Sequence, residues 1–424
     1  MAGGPIDVLI DDVLLLIIRQ LSLVDRIRLE RVCRKWQQLS RSSWKTVHAL
    51  NFCQYFENDH EFLDVRDCNK VLVAFLRRAG PYLQSLDLSE SFCSSVHMEF
   101  TKKSLRAIGK HSPLISTLNL AYQSLSDEKL SVLADVTCSV EVLVLIRCFE
   151  ESSEPDQELA TAFKAMKQLK SVDLSMNDNL SGFCFAALNG ALETLLINRC
   201  CSVQSQCIDW LANWCPKLKR FEFSGCTIDL NYMLAKQKAL QVLRLQYYEG
   251  PSLHHTMQSL TQLKQLDLSH STAINQQLME AIGENCPLLQ YLNIAGKTGT
   301  RANVHLTCLS NLNELGELDI SWLEHLTDAD LLSVAQNGQL QVVHAHMCDS
   351  ITCAGLTSTV KSNPSLTLLD ITGCLRVGVS FLEQASQLTR NHERPLVVEI
   401  GAVVGIEKVD NLIHSKFRVS VFRS

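Results

Sequence analysis

Three places in this 424-residue chain hold side chains of the kind that do chemistry. Gly296-Lys297-Thr298 ends like a phosphate loop, in which backbone amides and a lysine cradle a nucleotide. That motif needs another glycine five residues before Gly296, and Tyr291 stands there. His344, His346 and Cys348 alternate with Ala345 and Met347, which offers three soft metal ligands on one extended segment without a fourth. The 17 cysteines are the third place, and no C-x-x-C pair occurs among them. A G-x-S-x-G elbow and a glycine-rich phosphate fingerprint are missing as well. The expectation is a non-catalytic chain, with no metal and no cofactor.

Composition narrows the setting. Hydrophobic residues make up 46% and charged residues 20%, enough apolar surface for a large core and too little charge for wholesale disorder. With 18 Gly, 9 Pro and no long heptad run, collagen and coiled coil are excluded. A net charge of −6 supplies no basic field to draw the chain onto nucleic acid or membrane, so neither is an expected partner. The apolar run from Val13 to Ile18 follows Asp11 and Asp12, the wrong charge for a signal peptide, and is too short to span a bilayer. A cytoplasmic or nuclear location follows as the expectation, with thiols that stay free and act as small hydrophobes.

The elements that position these side chains come from an internal repeat. The pattern apolar-x-x-apolar-x-apolar starts at Leu83, Ile115, Val140, Leu169, Leu192, Leu218, Leu240, Leu263, Leu289, Leu315, Leu340 and Leu366. The mean period is about 26 residues, inside the leucine-rich-repeat window. Alternating apolar positions make a short strand with one buried face. The residues between strands carry helical spacing, as in Leu130-Leu133-Ala134 and Leu331-Leu332-Ala335. Neither element covers its apolar face alone, so neighbouring repeats must stack. Cys148, Cys200, Cys226, Cys348 and Cys374 recur three residues after the last strand position, and Cys215-Pro216, Cys286-Pro287 and Asn363-Pro364 precede strands. Thr327 and Ser126 read as helix caps. The pattern resembles the cysteine-containing subtype of leucine-rich repeat. It implies an α/β solenoid with parallel strands on the concave side, helices on the convex side, and the cysteines as an inert packing ladder. About twelve repeats would span residues 83–394, and residues 395–424 would cap the open end with strands at Leu396–Ile400 and Phe417–Val421. Residues 46–82 read as a first strand near Trp44, an irregular insertion from Asn51 to Lys70, and a helix near Val71 to Arg78. Residues 150–156 read as a solvated acidic loop.

The first 45 residues lack the repeat. Leu14, Ile17, Ile18 and Leu21 have helical spacing, as do Leu29, Val32, Cys33 and Trp36. Ser22-Leu23-Val24-Asp25 reads as the cap of a second helix. So few residues make a meagre core, and a helix apolar nearly all round should bury part of itself against a partner. The stretches Ile6 to Ile17, Leu21 to Asp25 and Leu29 to Trp36, with Trp44 and Val47 behind them, closely resemble an F-box. Followed by cysteine-type repeats, they give the layout of F-box and leucine-rich-repeat proteins. One departure is Ile10, where F-boxes usually place proline after the leucine. The resemblance implies docking on the Skp1 adaptor of a cullin–RING ubiquitin ligase. Positions carried over for that contact are Leu9, Ile10, Val13, Leu14, Ile17, Leu21, Leu29, Val32 and Trp36. Ile17, Val32 and Trp36 would serve in part as the domain's own core. Between Arg19 and Lys45, eight basic residues stand against Asp25 and Glu30, either a cuff that steers an acidic partner or a solvated helix face.

A protein client would lie on the strand side chains that face away from the core. The central column reads Asp87, Asn119, Val144, Asp173, Leu196, Glu222, Arg244, Asp267, Asn293, Asp319, His344 and Asp370. Its acidity fits a basic partner, or else a habit of the repeat. The exceptions are the candidate contacts: Val142, Val144, Ile146 and Leu196, then Arg244, Gln246, Tyr247 and Tyr248, then Trp322, His344 and His346. Aromatic residues and arginine dominate interface energetics. A C-terminal tail could cover them instead. The expected function is the substrate-recognition subunit of an SCF-type ubiquitin ligase; the alternative is a repeat scaffold not assembled into a ligase.

Overall fold

The computed structural model describes residues 9–52, 65–90, 99–136, 138–296, 304–392, 394–401 and 411–421. The chain divides into two compact units, Met1–Asn189 and Gly190–Ser424.

The first unit opens with three short helices, α1 (Asp11–Gln20), α2 (Leu23–Leu29) and α3 (Arg34–Ser43). Asp11 and Asp12 put negative charge in the first turn of α1, where the helix dipole favours it. Arg26 closes the other end, its guanidinium donating to the carbonyl oxygens of Arg19 and Leu21 at 2.6 and 3.2 Å. The Ser22 cap forms: its hydroxyl oxygen accepts from the Asp25 amide at 3.1 Å. The helical spacing from Leu29 to Trp36 does not make one helix. The chain turns through residues 30–33 and restarts at Arg34, with Cys33 extended.

That turn carries Glu30 inward. Its carboxylate accepts from Arg78 Nε and Nη2 at 2.7 and 2.8 Å and from Trp44 Nε1 at 3.3 Å. Arg78 lies on α4 (Val65–Ala79), so the pair ties the three-helix segment to the first repeat. Trp44, expected in a strand, sits in a 3-10 turn, and the first strand is Ala49–Asn51. Its ring packs against Phe75 of α4 with centroids 6.1 Å apart, and Phe75 meets Phe52 at 6.0 Å. Leu14, Ile18 and Leu39, with Leu9, Leu29 and Trp36 against them, form the small core of the three-helix segment. Helix α4 meets this segment at Trp44 and Glu30. This helix also begins well before Val71, inside the span read as irregular; residues 53–64 lie outside the described residues.

Every apolar triplet becomes a strand. In the first unit β1 (Ala49–Asn51) precedes them, and the triplet strands are β2 (Ser85–Asp87), β3 (Thr117–Asn119), β4 (Val142–Val144) and β5 (Ser171–Asp173). The second unit holds β6 (Thr194–Leu196), β7 (Arg220–Glu222), β8 (Val242–Arg244), β9 (Gln265–Asp267), β10 (Tyr291–Asn293), β11 (Glu317–Asp319), β12 (Val342–His344) and β13 (Leu368–Asp370). It ends with β14 (Leu396–Ile400) and β15 (Phe417–Val421), the strands expected there. Within each unit neighbours pair in parallel and in register, as Leu86 with Leu118 and Leu318 with Val343. All three triplet positions are buried in each repeat. Connections are mostly helical, and Asp328–Ala335 opens on a capping box at Thr327 and Asp330. The helix expected through Leu130 and Ala134 is split into Asp127–Leu130 and Leu133–Val136.

Three positions in each repeat explain the recurring residue types. The first, three residues past the triplet, donates in five repeats to the carbonyl of the last triplet residue in the preceding repeat. Gln123 Nε2, Cys148 Sγ and Asn177 Nδ2 reach Leu88, Leu120 and Leu145 at 2.9, 3.1 and 2.8 Å. Cys348 and Cys374 reach Ile320 and Ala345 at 3.2 and 3.0 Å. Cysteine suits the place because it is small, apolar and a weak donor. Burial pushes the Cys374 thiol up to about 11 and the Cys226 thiol up to about 12, so thiolate chemistry is suppressed. Asn177 does more: its carbonyl oxygen accepts from the amides of Cys148 and Phe149 at 2.8 and 3.1 Å. Asn177→Ala orphans these buried groups and is expected to lower the unfolding free energy by about 3 kcal/mol, read as a shift in the urea midpoint.

At the second position, the last residue of the strand, Asp or Asn accepts the amide two residues on. Asp87, Asp173, Asp267, Asp319 and Asp370 do so at 2.9 to 3.0 Å, and Asn119 and Asn293 at 3.0 and 2.9 Å. The third position, two residues past the triplet, is left-handed, with φ between 50° and 66° at Tyr122, Arg147, Met176, Arg199, Tyr247, His270, Trp322 and Met347. Glycine fills the same place at Gly225 and Gly373. The acidic loop is a correction: Pro155 already starts a helix, and Asp156 accepts from the Ser181 and Cys184 amides at 2.8 and 3.0 Å.

Candidate partner-binding surfaces

Helix α1 turns two faces outward and inward. At about 100° per residue, Ile10, Val13, Leu16 and Ile17 occupy one arc, while Leu14 and Ile18 occupy the other. The structure follows this: Ile10, Leu16 and Ile17 are 66%, 58% and 43% exposed, and Val32 in the turn before α3 is 64% exposed. Leu14 is buried in the domain's own core, so it is removed from the adaptor-facing set. Leu9, Leu29 and Trp36 pack against that core and Leu21 is half-buried. Ile17 and Val32, expected to serve in part as the domain's own core, stand outside it. Leu16 was missed; its place beside Ile17, on the side of α1 away from Leu14, is the signal that finds it.

The basic residues divide as well. Arg26 is buried, capping α1 and lying 5.9 Å over the Trp44 ring. Arg28 and Lys35 form exposed pairs with Asp25 and Asp11, each at 3.0 Å. Arg31, Arg34, Arg41 and Lys45 are exposed, two of them flanking Val32. The cuff is therefore smaller than the count of charges indicated.

On the strand faces, Val142, Val144 and Ile146 lie half-buried on and just after β4 in the first unit. In the second unit Leu196 is half-buried on β6. Arg244 sits 3.8 Å from Glu222 and 3.3 Å from Gln265 Oε1, and Gln246 donates to Asp267 at 2.7 Å. Glu222 is also bonded by Arg220 and Asn198. Tyr247 stays 55% exposed and stacks on His270 with centroids 4.7 Å apart. Tyr248 is the clear error. It stands three residues past its triplet, the register of Cys226 and Cys348, so it points inward and is fully buried. Gly250 leaves room for it, since a Cβ there would clash with the Tyr248 ring and hydroxyl.

Trp322 meets His346 with ring centroids 5.1 Å apart. His344 Nδ1 is 3.9 Å from Asp370 Oδ2. The Asp370 carboxylate raises the His344 pKa above its ordinary 6.5 despite burial, with Asp319 and Glu317 adding to the effect. Protonated His344 therefore stabilises the fold below pH 6.5, and this contribution is lost as pH rises through the folded value. An NMR titration of His344 is expected to show a midpoint above 6.5, brought down by Asp370→Asn. Cys348 points to the core while His344 and His346 point out, so the three do not converge on one ion. Among the described residues no group of three His, Cys, Asp or Glu could hold a metal. Lys297 and Thr298 lie outside the described residues. The described C-terminal residues are taken up as β15 on β14.

Comparison with known proteins adds three findings. Residues 6–48 match the family model of the F-box domain. A Caenorhabditis elegans protein named "Putative RNA-binding protein EEED8.10" is 24% identical over 389 residues, 88% of this chain and 51% of that protein. The chain thus spans about half the length of the curated relative it matches. The crystal structure of the Rad7 and Elc1 complex in yeast aligns over 99% of this chain and 98% of that one, with a TM-score of 0.54 and 16% identity. The mouse RP105/MD-1 complex aligns over 81% of this chain and 60% of that one, with a TM-score of 0.47 and 17% identity. The chain carries an F-box domain at its N-terminus, followed by parallel-strand α/β repeats.

Proposed function

We propose that this chain is the substrate-recognition subunit of an SCF-type ubiquitin ligase. The F-box binds Skp1, and through it a cullin–RING scaffold, while the strand face of the repeats holds a protein client. The observation that carries this reading is the exposed apolar arc of Ile10, Val13, Leu16 and Ile17 with Val32, set within an F-box domain. Exposed apolar side chains of this kind on so small a helical segment call for a protein partner. That the structurally similar Rad7 was solved in complex with Elc1 supports a fold of this kind being held by a partner protein. The chain contributes no catalytic group. It acts by proximity, raising the effective concentration of client lysines near a charged E2. The reading needs no cofactor, involves neither nucleic acid nor membrane, and places the protein in the cytoplasm or nucleus. Mixing the purified chain with recombinant Skp1 is expected to give one complex on gel filtration; two separate peaks would leave the repeat scaffold as the better reading.

Ile10 in place of proline weakens this little. It caps α1 with φ −68°, the angle a proline ring imposes. Ile10→Pro is expected to raise stability by about 0.5 kcal/mol through the unfolded chain and to keep Skp1 binding, measured by thermal melting and titration calorimetry.

A further inference from the structure

Seven triplet strands end on an Asp or Asn whose side chain accepts the amide two residues on, closing the turn that follows. In the second unit three consecutive strands give this up: β6, β7 and β8 end on Leu196, Glu222 and Arg244. Leucine and arginine side chains carry no acceptor at all. Glutamate does, yet the Ser224 amide goes to Asn198 Oδ1 at 2.9 Å instead. Among the other triplet strands the departures are single, at Val144 and His344.

Glu222 Oε1 accepts from Arg220 Nε and Nη2 at 2.9 and 2.5 Å, and Asn198 Nδ2 donates to Oε2 at 3.1 Å. Asp267, paired with Arg244 across β8 and β9, is taken up by the Ser269 amide and hydroxyl and by Gln246. Both carboxylates are enclosed, with the Glu222 side chain 10% exposed and Asp267 3%. The guanidinium side chains of Arg220 and Arg244 are 40% and 37% exposed. Two arginines stand against two carboxylates, but the charge shown outward is cationic. Arg244 is also poorly matched. Among the described residues its five N–H donors make one hydrogen bond, from Nη2 to Gln265 at 3.3 Å. Nη1 lies 3.8 Å from Glu222, and the enclosed Nε has no partner. An unsatisfied buried donor costs stability, so neither the turn nor the sheet accounts for this arginine. Half-buried Leu196 pairs with Glu222 across the sheet, and half-buried Val242 with Arg220.

We propose that Arg220 and Arg244 bind an aspartate or glutamate side chain of the client, with an apolar neighbour of that residue resting on Leu196 and Val242. The incoming carboxylate supplies the acceptor that Arg244 lacks. Because the four charged groups balance, the patch suits a monoanion and not the dianion of a phosphorylated residue. The proposal deepens the receptor reading and rests on it only for calling the partner a client; the site is tested without any adaptor.

The test is fluorescence anisotropy of the full chain with a labelled twelve-residue peptide carrying Glu-Leu-Glu at its centre between glycine and serine. Peptides with glutamine, phosphoserine or arginine in place of both glutamates are the comparisons. The glutamate peptide is expected to bind at least tenfold more tightly than each of them, and to weaken as salt rises. Arg244→Asn supplies the turn acceptor that Asn293 supplies on β10. Its melting temperature is therefore expected to hold or rise, while affinity for the glutamate peptide falls about tenfold. Leu196→Asp keeps both arginines and sets a carboxylate beside them, and is expected to weaken binding to the same degree. Equal or tighter binding of any comparison peptide, or no measurable binding of the glutamate peptide, overturns the proposal. So does affinity indifferent to either change, or a lower melting temperature for Arg244→Asn. Skp1 co-elution, measured separately on the same protein, tells failure of this site from failure of the ligase reading.

Discussion

Changing Leu16 and Ile17 together to aspartate is expected to abolish Skp1 binding while the free chain melts as before. Both side chains are exposed on α1, so their loss removes no packing from the domain's own core. Burying an aliphatic side chain of this size in an interface is worth about 1.5–3 kcal/mol. Removing two, and forcing two carboxylates into an apolar contact, takes well over a thousandfold from the affinity, by an order-of-magnitude reckoning. Isothermal calorimetry against Skp1 and a thermal melt of the free chain make the pair of measurements. Substituting Leu14 would not serve. It lies in the core with Ile18 and Leu39, so Leu14→Ala costs about 2–5 kcal/mol of the fold itself and any lost binding is ambiguous. An affinity within a few-fold of the unmodified chain would remove this helix face from the interface.

Glu30→Ala is the second large effect, and it acts inside the protein. The Glu30 carboxylate is almost fully enclosed and holds Arg78 with two bonds and Trp44 with a third. Removing it leaves the half-buried Arg78 guanidinium and the buried indole N–H without their carboxylate, at a cost of about 3 kcal/mol. Glu30→Gln keeps the acceptor for one donor and should fall between. Because this contact joins the turn after α2 to α4, the loss is expected to appear as faster amide exchange in α1, α2 and α3, with the repeats of the second unit unchanged. Uniform exchange behaviour in the two proteins would show that the aromatic stack of Trp44, Phe75 and Phe52 holds the junction without the ion pair.

Adaptor binding should respond to the two changes differently. Aspartates on α1 act at the contact, whereas loss of Glu30 acts on the stability of the element presenting it. At saturating Skp1, binding energy can restore order to the Glu30→Ala segment by mass action. No such rescue is available to the α1 variant.

Periodicity alone was enough to place every triplet strand, the two closing strands and the cysteine ladder, because burial of alternating residues is a local rule repeated at a fixed interval. The caps at Ser22 and Thr327 were equally legible, since a side chain that meets an amide two or three residues away needs no tertiary help. The F-box resemblance rested on residue order, and the family model covers the same segment. What local patterns left undecided was which side of an element meets which neighbour. Leu14 and Ile17 are both apolar and three apart, yet the first is enclosed and the second exposed, because α3 packs on one side of α1 only. Tyr248 looked like an interface aromatic beside Tyr247; a single step in register sends its ring inward. Glu30 looked like one acid among many bases, and its partner Arg78 stands 48 residues away, a distance that no motif spans. Composition and spacing determined the repeats and the helical hook in front of them. Tertiary packing decided which apolar and charged groups remain for a partner, since a side chain's availability depends on contacts made far along the chain.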